Sequence, residues 1–496
     1  MNQSDLAQHA LDVATGLGAA YADARLIVSR EQAIVTRNGE VATLVDAESA
    51  GIGIRVIVND AHGRGAWGFS STSELTRPAV EAAAREAVAV ARASALAQRM
   101  TLALAPQPPI VADWASPARR DPFDVGLDEK IAVLMNADAA MRRVAGVSLA
   151  RGYLSFIRLD KTFVSSAGAR IRQRLTYSGA GCDATSFKEG DIQKRSYPNS
   201  FGGQHQLKGY ELIDELDLPG HAQRIGEESI ALHDAVQCPS KITTLILDGS
   251  QLGLQIHESV GHAIELDRML GYEANYAGTS FLNPSMVNNF EYGAPIVNVV
   301  ADATIAHGPG LGTFAYDDEG VPAQSVPIIT AGRLTGLLTS RETAPSVGVN
   351  ASGGSMRADG WNRIPLIRMT NVSLLPDPSG PENLDALIAD TDDGVYLETN
   401  RSWSIDDRRL HFQFGTEIGW EIRKGRRVRM LKNPSYGGIT PPFWRSCDAI
   451  CGPAAWTLWG TPNCGKGQPP QTIGTGHGAS PARFRNVDVG VAYDAE

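Results

Sequence analysis

The sequence predicts an α+β protein in two parts: an N-terminal domain of sheet plus helices, then a C-terminal, mostly antiparallel β domain carrying a metal-binding helix. Three observations predict this class. The 496 residues exceed what one ordinary core encloses. Helix-period and strand-period segments fall in separate runs, the pattern of segregated sheets and helices. Beyond Gln237-Cys238-Pro239-Ser240 the chain turns mostly to strand and turn, relieved by one helix that holds "HESVGH". The expected domains are 1–237 and 238–496.

The elements follow in order. Residues 4–17 space Leu, Ala and Val at helical intervals, with Ser4 and Asp5 as candidate caps. "ADARLIVSREQAIVTRNGEVATLV" alternates as two strands, and its Asn38-Gly39 pair favours a tight hairpin. "GIGIRVIVND" and "GRGAWGFSS" extend that sheet, and the Ala-rich "LTRPAVEAAAREAVAVARASALA" closes the group as a helix with Pro in its first turn. The same order recurs: "DVGLDEKIAVLMNADAAMRRV" as helix, "VSLARGYLSFIRLDKTFVSSAGARIRQRLTYSGAG" as strands, "DLPGHAQRIGEESIALHDAV" as helix. "KITTLILDGS" opens the C-terminal part as a buried strand. The tail from Asn433 is rich in Gly and Pro, so "TPNCGKGQPPQTIGTGHGASPARF" reads as a long functional or disordered loop, costly as an interior strand.

Composition narrows the function. Hydrophobic residues make up 43% and charged residues 20%, values of a folded globular protein. A net charge of -10 argues against a general nucleic-acid surface. The most basic run, "IRKGRRVRML", reads as a hairpin with a Lys-Gly turn and charges in water. No segment has the basic start and apolar run of a secretory signal or the roughly 20 apolar residues of a membrane span, so a cytoplasmic protein with no membrane partner is expected. Five cysteines do not suggest a secreted disulfide framework. No phosphate loop or G-x-G-x-x-G fingerprint after a strand is present.

The chemistry concentrates in "DGSQLGLQIHESVGHAIELDRML", a capped, Pro-free helical pattern that places His257, Glu258 and His262 together. Two ligands four apart on a helix differ by roughly 40° around the axis, whereas five apart differ by about 140°. For His257 and His262 to grip one ion, the helix must end, kink or carry a π-bulge, and Gly261 is the residue expected to tolerate it. A catalytic zinc needs a third ligand and an open position. Candidates are Cys464, Cys447, Cys451, Glu265, His307 and His477. Glu258 would be the general base beside a metal-activated water, giving amide hydrolysis. Zn2+ suits imidazole and thiolate, and iron also accepts them. Two rival readings are a buried histidine cluster without catalysis and a structural knuckle of Cys447, Cys451, Cys464 and His477.

Several ordered blocks, "HESVGH", "FAYDDEGVPAQ", "IITAGRLTGLLTSRETA", "IRMTN", "GVYLETNRSWSIDDRRLHFQFGTEIGWEI" and "TPNCGKGQP", make the chain resemble the TldD/PmbA family, specifically its TldD-type metallopeptidase subunit. The resemblance implies His257, His262 and Cys464 as metal ligands and Glu258 as base, with Cys447 and Cys451 structural. It also implies a homodimer, or a heterodimer with a PmbA-type subunit, enclosing a cavity for unfolded or short peptides. "FAYDDEGVPAQ" and "ASGGSMRADGW" are then candidate cleft walls or ordinary hairpin turns. The alternative function is a non-catalytic partner or assembly subunit with a structural metal, a role that has no need of Glu258.

Overall fold

A computed structural model describes residues 3–60, 63–98, 102–306 and 308–491. The N-terminal part is built on one strongly paired sheet. Its strands are β1 (Tyr21–Arg37), β2 (Glu40–Asn59), β3 (Gly65–Thr72), β4 (Val111–Ala115), β5 (Val147–Ser165), β6 (Arg170–Lys188), β7 (Asp191–Tyr197) and β8 (Gln204–Gln206). The order is β3-β2-β1-β5-β6-β4, with β7 and β8 also on β6. Asn38 and Gly39, both at positive φ, make the tight turn between β1 and β2.

Helices α1 (Gln3–Gly16) and α2 (Arg77–Ala95) bury Leu6, Leu11, Val80 and Val88 against Leu26, Ile52 and Ile54. Helix α1 starts one residue earlier than the pattern suggests, which puts Ser4 and Asp5 inside its first turn. Helix α3 (Leu127–Arg142), the short α4 (Glu211–Leu216) and α5 (Leu218–Asp234) flank the other half of the sheet, where Leu134, Met141, Ile213 and Ile225 pack on Leu154 and Phe156. Two helix-and-hairpin groups therefore join through the long antiparallel β1–β5 pairing, Asp23↔Ser165 to Arg37↔Arg151. This is the recurring order visible in the sequence.

From Val236 onward, two larger sheets form, with a two-stranded pair of Met356–Arg357 and Leu366–Ile367 beside them. Strands Lys241–Leu247, Asp393–Ile405, His411–Arg423, Pro434–Ile439 and Ala482–Val491 pair in a closed ring, with Arg426–Lys432 and Cys447–Ile450 added outside it. The basic run forms the expected hairpin, with Lys424 and Gly425 at its turn. A six-stranded sheet ends on Gln471–Ala479 and, at its edge, Thr457–Lys466.

That last hairpin corrects the loop expected for the tail. The glycines of "GTGHGA" are there for contact. A Cβ at Gly478 would lie 1.8 Å from Trp456, and one at Gly476 2.1 Å from the Asn371 amide. Pro462 is tolerated because its strand is an edge and its register is broken between Thr461 and Cys464.

Buried charges tie the N-terminal sheet to the rest. Arg195 on β7 reaches Glu228, Glu398 and Glu417 at 2.8, 2.5 and 3.3 Å. Arg55 on β2 binds Asp23 and Glu319 at 2.7 and 3.2 Å. Between the closed ring and the six-stranded sheet lies α6 (Gly249–Ile256), with its Leu252 and Ile256, and Val260 just beyond it, in the largest hydrophobic core. Among the described residues no helix is long and apolar enough to cross a membrane.

Candidate metal centre

Helix α6 begins as the sequence predicts, with Asp248 accepting from Ser250 N and Gln251 N at 2.8 and 3.1 Å. At its end the chain widens into a π-turn, His257–Gly261, closed by His262 N donating to His257 O at 3.1 Å. The i to i+5 hydrogen bond stacks residues five apart, so the rings that a straight helix would splay come to 4.9 Å between centroids. Side chains satisfy the backbone there: Ser259 Oγ donates to Gln255 O at 2.6 Å, Trp444 donates to Ser259 Oγ at 2.9 Å, and the Tyr292 hydroxyl donates to Ser259 O. Gly261 has another role than the one expected of it. Its φ is not positive, and an added Cβ would lie 2.0 Å from Met369 Sδ, so its small size admits Met369.

Cys464 arrives from the edge strand, 202 residues away in sequence, with Sγ 3.6 Å from His262 Nε2. Ligand atoms of His257, His262 and Cys464 all lie within 4.8 Å of one another, and all three residues are buried. Zinc–nitrogen and zinc–sulfur bonds of roughly 2.0 and 2.3 Å put tetrahedral ligands roughly 3.5 Å apart, a spacing the Cys464–His262 pair already has.

The hydrogen bonds behind the ligands set their tautomers. His477 Nδ1 stands 3.0 Å from Val372 O, which can only accept, so His477 Nε2 must be the unprotonated nitrogen. That nitrogen lies 2.8 Å from His257 Nδ1, which therefore donates and leaves the His257 Nε2 lone pair free. His262 Nδ1 donates to Glu265 Oε2 at 3.0 Å, leaving its Nε2 free beside Cys464. Both patterns are those of metal-binding imidazoles supported from behind.

Electrostatics favour the ligating forms. Burial pushes His257 down to about 4 and lowers His262, so both are neutral at ordinary pH. Burial alone would raise the Cys464 thiol, but the Arg368 guanidinium and His262 outweigh it and hold it below the usual value. Glu265 is held well below the usual carboxylate range, against its burial, by Lys466 and His262. Lys466 Nζ lies 3.3 Å from Glu265 and 2.8 Å from Asp267.

Glu258 borders the same pocket of about 170 Å³ as His257, His262 and Cys464. Arg409, in the left-handed region at φ 64, crosses from another turn to bind Glu258 Oε2 at 2.7 Å. The other Glu258 oxygen has no partner among the described residues.

The remaining candidates separate. Glu265 and His477 stand behind the ligands, and His307 lies outside the described residues. Cys447 and Cys451 are buried elsewhere as free thiols, so the knuckle with Cys464 and His477 does not form. Arg409 and Arg368 were not singled out in the sequence. Both sit in blocks that carry the family resemblance, but no local spacing marks them.

Neutral imidazoles and a thiol beside a carboxylate, on a distorted helix between two sheets, form a group that could hold a metal ion. Family models for the PmbA/TldA metallopeptidase match residues 22–91 (domain 1), 120–232 (central domain) and 240–490 (C-terminal domain), and the chain belongs to this TldD/PmbA family. A protein named a metalloprotease from Methanothermobacter thermautotrophicus is 30% identical over 470 residues, 95% of each chain. A zinc metalloprotease TldD homolog from Saccharolobus solfataricus is 27% identical over 196 residues, 40% of this chain and 41% of its own. The solved structure of TldE from Thermococcus kodakarensis has the same fold, with a TM-score of 0.72 at 13% identity over 98% of this chain and 99% of that one.

Proposed function

We propose that the protein is a zinc-dependent peptidase acting on unfolded or short peptides, with His257, His262 and Cys464 as the metal ligands and Glu258 as the general base. The observation that carries this reading is the convergence of three buried ligand atoms, tautomers set by His477 and Glu265, beside the carboxylate of Glu258. Zinc held there by His257, His262 and Cys464 would supply Lewis acidity toward a carbonyl and lower the pKa of a water. The zinc metalloprotease name of the Saccharolobus solfataricus relative supports zinc over iron.

The chain's own groups account for the proton transfers. Glu258, with one oxygen held by Arg409, takes a proton from the attacking water on its other oxygen. As water oxygen bonds to the carbonyl carbon and the carbon–nitrogen bond breaks, Glu258 returns that proton to the leaving amine. Arg409 orients the carboxylate through a charge-assisted bond. The substrate is held as an added strand along Thr457–Lys466, the edge of the six-stranded sheet, whose residues 461–465 border the pocket. Backbone pairing of this kind gives weak sequence preference.

In this reading residues 1–237 shape the cleft and a dimer, either with a second copy or with a PmbA-type subunit. The shared fold of a protein named TldE supports such pairing. The five free cysteines suit a reducing, cytoplasmic setting. The test is metal content measured beside cleavage of an unstructured peptide. Glu258→Ala should keep the metal and lose cleavage, and Cys464→Ala should lose metal. Normal cleavage by Glu258→Ala would remove it as base.

A further inference from the structure

A second cavity, of about 440 Å³, adjoins the metal pocket, and Pro462 stands in the wall of both. One side comes from β1, β5 and β6, the other from the segments 311–318, 357–362 and 472–474. Both sequence blocks read as cleft walls or hairpin turns contribute to it. Leu159, Leu175, Phe314 and Ile473 make much of the lining apolar, as in sites that enclose small ligands.

Two cations stand in this apolar wall, and they are matched differently. Lys161 is paired with Asp318, which also takes Arg25 at 3.9 Å. Arg357 has no ion-pair partner among the described residues. Its Nη1 and Nη2 donate to Met369 O and Leu311 O at 3.0 and 3.1 Å, and its Cζ lies 5.9 Å from the Phe314 ring centre. The fully buried Arg368 likewise donates only to carbonyls, those of Cys464 and Gln471.

Arg25, Lys161 and Arg357 thus have between them the single carboxylate of Asp318 as ion-pair partner, while Arg368 faces the Cys464 thiol and the buried Asp317 in the same wall accepts from the backbone N–H groups of Glu319, Val321 and Met356. Glu31 and Asp359 also border the cavity, but both are exposed, where water screens them. Buried charge is normally matched within the fold, so a surplus of cations beside an apolar cavity suits an anion from outside the chain.

We propose that this cavity is a subsite for a carboxylate-bearing residue of the peptide substrate, with Arg357 as the anion's partner. The proposal rests on the peptidase reading and names what that peptidase prefers. The carboxylate can be an Asp or Glu side chain or the peptide's own C-terminus. Either would lie one pocket away from the ligand Cys464, whose strand partner Ile473 lines the cavity.

The test uses zinc-loaded Glu258→Ala protein, so that binding is read without turnover. Fluorescence anisotropy compares a labelled peptide carrying one Asp and a free C-terminus with its Asn counterpart and its C-terminal amide. At least one neutralised peptide should bind about tenfold or more weakly, the effect of a charged hydrogen bond. Which one weakens identifies the source of the carboxylate. Adding Arg357→Gln should abolish the discrimination, and adding Arg357→Lys should keep part of it.

Equal binding of all three peptides with Arg357 intact would overturn the proposal, and that result needs no folded Arg357 variant. Full discrimination in a folded Arg357→Gln protein would also overturn it. Cleavage of the same peptides by the unaltered protein separates the two readings. Cleavage without discrimination defeats the subsite alone, whereas discrimination without any cleavage defeats the peptidase reading and leaves an anion-binding site.

Discussion

Replacing His477 with Phe removes the acceptor that lies 2.8 Å from His257 Nδ1 while keeping a flat ring in the buried slot. With metal on Nε2, His257 must carry its proton on Nδ1, and that proton loses its partner. Without metal the ring can change tautomer, so the penalty falls on the bound state and appears in the metal dissociation constant. An unpaired buried donor costs about 1–3 kcal/mol. The Thr475 hydroxyl, 3.3 Å from His257 Nδ1, takes up part of that, so the expected loss is about 1–2 kcal/mol, or roughly 5–30-fold in affinity. The broken His477 to Val372 bond weakens both states equally and does not enter the constant. Competition against a chromophoric chelator measures it. Adding Thr475→Val should deepen the loss. Affinity within twofold of the unaltered protein in both variants would refute the tautomer argument.

Three other perturbations follow from the same geometry. Arg409→Ala should leave metal content intact and lower kcat by roughly 10–100-fold, the worth of a charge-assisted bond, with Arg409→Lys in between, read by steady-state kinetics on an unstructured peptide. Gly261→Ala should destabilise the fold by roughly 1–3 kcal/mol through the 2.0 Å approach to Met369, and Met369→Ala in the same chain should recover part of it in urea melts. Asp248 is raised to about 6 by burial and by Glu398, above its unfolded value, so the folded state holds the proton more tightly and stability falls as pH rises from about 4 to 6. The difference in stability between the unaltered protein and Asp248→Asn should therefore shift against the unaltered protein by about 2–3 kcal/mol between pH 4 and 7, and no such shift would contradict the burial argument.

The sequence by itself determined what depends on neighbours along the chain. Alternation and turn chemistry marked β1, β2 and the Lys424-Gly425 hairpin, and a capping Asp248 marked the start of α6. The five-residue spacing of His257 and His262 required a distorted helix if both were to meet one ion, because helical geometry fixes where each ring points, and a π-turn is found there. Among the described residues, tertiary structure alone separates the candidate third ligands. Only packing across 202 residues brings Cys464 to His262, and only packing places His477 against His257 Nδ1. It also turned the Gly- and Pro-rich tail into strands, since each glycine's value lies in the side chain pressed against it, Trp456 on Gly478 and Asn371 on Gly476. Arg409 and Arg357 carry no local signature. A guanidinium's role depends on whether a carboxylate lies within reach, and that is decided by how distant segments meet in space.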